Sequence, residues 1–259
     1  MSTINDKLNS LLDLLSDPEN PFVDPSVLIS TALKIPGAVI NRDEFLRREL
    51  LKLLPLGIVD NAVEHNPAYA GINRRIINEI ANKVIQDETK KVSSLSFLTG
   101  AAGPAGIFAD IPQYFAFLMR IMQKLVYLYG FPALELDTET IDDDTMSMLM
   151  IFTGLMFGIE KAEEGLQTLV TSFTNDGAST YAAAGLVRAS LYPLAKETSK
   201  YLGFILSGQI MSESVSKAIP LIGGGISGGL TWFTFRRCAV RLKKPLAEIR
   251  LSDPKTYRP

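Results

Sequence analysis

At 259 residues the chain is long enough to bury one large core and needs no second domain. Hydrophobic residues make up 47% and charged residues 21%; the net charge of −2 combines an acidic body with a stretch from Arg236 onward that holds eight Lys or Arg against Glu248 and Asp253, and an acidic body excludes a general nucleic-acid binder, which needs cations clustered along phosphates. A single cysteine, Cys238, and a single histidine, His65, exclude an internal disulfide framework and a Cys/His zinc site and imply a reducing compartment.

Apolar residues recur at helical spacing along most of the chain, as in Ile72, Ile76, Ile80 and Val84, and no alternating run is bounded by hairpin turns. The periodicity predicts helices over residues 3–16, 25–35, 42–54, 68–92, 111–129, 143–173, 179–206 and 219–245. The expected fold is all-α, a single bundle of about eight helices with Gly-rich packed central helices and no sheet of note. Asp6, Lys7 and Asp13 interleave with leucines in Met1–Asp17, an amphipathic pattern rather than a signal peptide. The turn cluster at Asp17–Pro21 then divides an N-terminal arm, residues 1–22, from a helical domain, 23–245, with a basic tail at 246–259.

Two uncharged windows, 92–109 and 218–235, reach the lower edge of a bilayer span, but glycines and prolines interrupt both. Asp110, with Gln113 three residues on and Pro112 between them, has the spacing of a capping box and is expected to start the helix that ends at Tyr129-Gly130 with Pro132 beyond. That helix carries one wide apolar face, with only Arg120, Lys124 and Tyr127 as a narrow polar stripe. Acids at 142–144 lack the spacing of a calcium loop and suit a helix start.

Six of the eight methionines fall in two neighbouring helices, 111–129 and 143–173, among phenylalanines. Phe115, Met119, Met122, Met150, Phe152 and Met156 are the candidate lining of a site for an apolar ligand, since methionine adapts to varied shapes; filling of an awkward core is the alternative. Gly154 with Gly158 and Gly224 with Gly228 place small residues four apart, a device for close helix packing. The run Gly223–Gly229 lacks the lysine and hydroxyl residue of a phosphate-binding P-loop. Trp232, Arg237, Arg241 and Lys244 join an aromatic boundary to cations at helical spacing, a candidate contact with an anionic membrane surface. Cys238 lies among Arg236, Arg237 and Arg241, which can lower a thiol pKa, although an inert buried or surface cysteine is the favoured reading.

Two blocks resemble the EcsC family of bacterial proteins. The first is Gly100, Ala105-Gly106, Ala109-Asp110-Ile111-Pro112, Leu118-Met119-Arg120 and Tyr129-Gly130; the second is Ser216–Gly224 followed by Gly228, Gly229 and Thr234. Phe131-Pro132 departs from the acidic residue expected soon after the first block's last glycine. The resemblance implies a helical bacterial domain associated with membranes or transport, and it brings no active site with it.

The expected function is therefore a non-enzymatic helical protein that binds lipid or another hydrophobic ligand, located in the cytoplasm and peripheral to the inner face of the membrane. The alternative is an accessory or scaffold module that docks on a membrane transporter or assembles with itself through its small-residue helix faces. Catalysis through Asp110 or a Cys238–His65 pair carries the least weight, and no cofactor, metal or nucleic acid is expected.

Overall fold

The computed structural model describes residues 24–99, 104–136, 141–175, 184–211 and 228–257. Among them the fold is an all-helical bundle with no strand. The order is α1 (Pro25–Leu33), α2 (Arg42–Leu50), α3 (Leu56–Glu64), α4 (Arg74–Thr99), α5 (Pro104–Leu128), α6 (Asp143–Phe157), α7 (Lys161–Asn175), α8 (Ala184–Met211) and α9 (Gly228–Leu246), closed by 3-10 turns at Arg250–Ser252 and Pro254–Tyr257. The expected helix at 3–16, the arm 1–22 and Gly224 lie outside the described residues.

Helix starts follow from local chemistry. Asp24, Asn41 and Asp142 each place a carboxylate or amide oxygen on amides of the first turn, at Ser26, Glu44 and Thr145 respectively, which satisfies donors that have no partner within the helix. Asp110 is not at a helix start. Helix α5 begins at Pro104, so Asp110 and Pro112 lie inside it. The interior proline forgoes a backbone bond, and tertiary packing of a nearly all-apolar helix outweighs that local cost of about 3 kcal/mol.

The expected helix over 143–173 is broken at Gly158, whose φ of 78° lets Ile159 N–H bond back to the Gly154 carbonyl, a left-handed termination favoured by glycine. The expected spans omit α3, whose exposed Leu56 and Ile58 blur the apolar period. The segment after 245 is not a free tail: Leu246, Ile249 and Leu251 are buried in the common core, so its apolar residues anchor it despite its charges.

Helices α5 and α6 form the interior. Residues 121–131 are buried without interruption, as are 147–157. Around α5 pack α1, α2, α4 and α9; around α6 pack α1, α7, α8 and α9. Aromatic rings join the two centres, Phe115 stacking on Phe157 at 6.2 Å and Phe131 meeting Phe152 edge-on at 5.1 Å; such pairs add roughly 0.5–1.5 kcal/mol to burial. A Cβ on Gly154 would lie 2.8 Å from Ala162 Cβ, so Gly154 provides the close helix approach expected of it.

Candidate functional site

The narrow polar stripe of α5 is not solvated. Lys124 donates from Nζ to Glu88 Oε1 of α4 at 2.7 Å, Arg120 Nε donates to Glu88 Oε2 at 3.3 Å, and Lys91 Nζ donates to Glu88 Oε1 at 2.8 Å. Glu88 is 2% exposed and Lys124 6%. Arg120 also donates to the Gly37 carbonyl. One turn on, Gln123 accepts from Ile40 N–H and donates to the Ala38 carbonyl, both at 2.8 Å, so α5 clamps the α1–α2 loop over its own polar side. Burial alone would raise the Glu88 carboxyl, but the surrounding cations, Lys124 first, hold it down at about 2. Lys124 moves below its ordinary value because burial, with Arg120 and Lys91 alongside, outweighs its one carboxylate.

Glu88, Lys91, Arg120 and Lys124 line a cavity of about 340 Å³ between the α1–α2 loop, α2, α4 and α5. Glu44, Arg48 and Asp87 stand at its exposed mouth. Sequence reasoning missed Glu88 entirely. The only available signal was the polar stripe itself, which on a helix this apolar needs a buried partner.

The predicted residues fall into three places. Phe115, Met119, Met122, Met150, Phe152 and Met156 are all buried in one continuous core, where they pack the α5–α6 centre. Arg237 and Lys244 are exposed on α9, while Arg241 Nη1 turns inward to the Phe157 carbonyl at 3.1 Å, capping α6 beside Gly158. The side chain of Trp232 lies outside the described residues. Phe233, next to it, is 56% exposed and Val240 41%. Gly228 opens α9, and Gly158 serves as a helix terminus rather than a packing face.

Cys238 is buried, one of the two inert placements expected of it. Burial raises its thiol to about 12, and Arg241 and Arg237 offset this only in part. His65, at the end of α3, stacks on Tyr69 with centroids 4.2 Å apart. Among the described residues no three His, Cys, Asp or Glu side chains are grouped to hold a metal ion, and no helix is long and apolar enough to cross a membrane. No protein-family model, curated protein or solved structure matches this chain.

Proposed function

We propose that this chain is a non-enzymatic helical protein that contacts lipid at an anionic membrane surface, through the outer face of α9. The observation that carries this is the exposed Phe233, aligned with Arg237, Val240 and Lys244 at spacings of four, three and four on a helix with five cations and no acid. Residues so spaced share one face, about 17 Å long at the helical rise. Each cation near an anionic leaflet contributes about 1 kcal/mol, and an aromatic ring prefers the interface. Phe204, 69% exposed near the end of α8, adds a further aromatic close in sequence to the Gly-rich segment before α9. The contact is thus assigned to the surface, since the Met and Phe cluster is occupied with packing. A membrane-associated domain is also what the EcsC resemblance implies.

The test is sedimentation with anionic and zwitterionic vesicles, for the parent and a Phe233→Ser, Arg237→Glu, Lys244→Glu variant. Arg241 is left intact because it caps α6. Binding only to anionic vesicles, weakened by salt and lost in the variant, is expected. Equal binding to both vesicle types, or to neither, overturns the assignment.

A second function, docking on a membrane protein, is favoured by a different patch. Leu51, Leu53, Leu56 and Ile58 are all exposed around the α2–α3 turn, a cluster of apolar surface of the kind that marks interaction sites. Loss of a co-purifying partner in Leu53→Ser, Leu56→Ser would support it; no stoichiometric partner in membrane extracts would remove it.

A further inference from the structure

Two helices of this chain carry opposite charge on outer faces of similar make. The charged side chains of α9 are all cations, while those of α3, Asp60 and Glu64, are both acids. Each face also holds exposed apolar residues: Leu56 on α3, with Leu53 beside it on the α2–α3 turn, and Phe233 and Val240 on α9. Leu56, Asp60 and Glu64 recur every four residues and are all exposed, so they share the outer face of α3. Among the described residues Glu64, Arg237 and Lys244 form no salt bridge. Asp60 pairs with Arg47, both about half exposed, and a surface pair of this kind is exchanged at little cost.

The two faces also match in register. Phe233 to Arg237 and Leu56 to Asp60 are the same step of four residues, about 6 Å at the helical rise. Lys244 lies about 10 Å beyond Arg237 and Glu64 about 6 Å beyond Asp60, a difference of about 4 Å that a lysine stem spans. Laid parallel, the helices set Phe233 against Leu56, Arg237 against Asp60 and Lys244 against Glu64. Helix α7 presents acids too, Glu163 and Glu164, but no large apolar residue is exposed beside them among its described residues. Within one chain α3 packs on α2, and α9 on α4, α5 and α6, which leaves both outer faces open to a separate molecule. A net charge of −2 over 259 residues puts little repulsion between copies.

We propose that the outer face of α3 on one copy docks against the outer face of α9 on another, so that the chain self-associates. Two different patches meet, so each docked copy keeps a patch for a further one. A helix pair is smaller than a standard protein interface, which places the affinity at the weak end. The docked face of α9 is also the lipid-contacting face, so on that reading copies and vesicles compete for it; the self-association itself does not depend on lipid contact.

The experiment is sedimentation velocity of the full chain from roughly 1 to 300 μM. Two double variants, Arg237→Glu with Lys244→Glu and Asp60→Lys with Glu64→Lys, are measured separately and mixed. The parent should gain mass with concentration, and less so at high salt. Either double variant sets like charges face to face and should weaken association by about tenfold or more. An equimolar mixture restores opposite charges across both faces and should recover association, which misfolded variants could not do. A parent that stays monomeric throughout, variants that associate as the parent does, or a mixture that fails to recover would overturn the proposal. Vesicles keep this contact apart from the lipid reading. A monomeric parent that still binds anionic vesicles leaves lipid as the occupant of α9 and refutes self-association, whereas an associating parent that binds no vesicles upholds self-association and refutes the lipid contact.

Discussion

Gly154 and Thr198 meet so closely across the α6–α8 interface that a Cβ on the glycine would lie 2.3 Å from Thr198 Cγ2. Gly154→Ala must therefore push the helices apart. The expected cost is about 1–3 kcal/mol, seen as a fall in thermal midpoint of roughly 2–10 °C. Gly57→Ala is the control, since no atom outside its local backbone lies within 4 Å of a Cβ there; it should leave the midpoint unchanged or raise it slightly. Equal midpoints for Gly154→Ala and the parent would show that the interface relaxes freely.

Arg42 is a buried cation that acts as a clasp. Its guanidinium donates to the carbonyls of Val63 at 2.7 Å, His65 at 2.7 Å and Phe131 at 3.3 Å, tying α2 to the ends of α3 and α5. Arg42→Met leaves these acceptors without their donor and should cost about 3 kcal/mol or more, measured as a lower urea midpoint. A shift below about 0.5 kcal/mol, typical of surface changes, would contradict the clasp.

Acid should unfold the protein partly through Glu88. The surrounding cations, Lys124 first, hold its carboxyl down at about 2 in the folded chain, below the ordinary 4.5. A depressed carboxyl pKa contributes stability that is fully present above the unfolded value and is lost as pH falls toward the folded one. The window is therefore about pH 4.5 down to 2, and the loss is on the order of 3 kcal/mol. Glu88→Gln, if folded, should be less stable at pH 7 yet show a shallower fall across this window; an unchanged slope would mean that the ion cluster does not govern acid stability.

Cys238, with its thiol raised to about 12 by burial, should resist alkylation at mildly alkaline pH in the native chain and react promptly in denaturant. Modification of the native protein at the rate of a free thiol would contradict the buried placement on α9.

The all-helical class was legible because its signal is local. The end of α5 at Tyr129-Gly130 was equally so, with Gly130 at φ 103°. Its start was not, because an Asp-x-x-Gln spacing is only a weak sign of a cap and the apolar run from Pro104 prevails through packing. The Glu88 cluster was invisible for another reason. Its cations Arg120 and Lys124 lie 32 and 36 residues away, and a glutamate on an amphipathic helix ordinarily faces water. Arg241 shows the reverse error: helical spacing put it with Arg237 and Lys244, while the open carbonyl at the end of α6 draws it inward.

Asn66 Nδ2 donates to the Tyr257 hydroxyl at 3.2 Å across 191 residues of sequence, and Arg74 pairs with Asp253 at 3.5 Å. The same closing segment follows α9, which packs on α4, α5 and α6. During synthesis the chain emerges in order, so α4 and α5 must wait on the ribosome with their α9-facing side uncovered until nearly all the remaining helices have been made. Contacts this distant slow folding and prolong the exposure of apolar surface. The nascent chain thus has a long interval with apolar surface uncovered, and emergence of α9 with the segment after it, rather than completion of any one half, is the event that lets the core close.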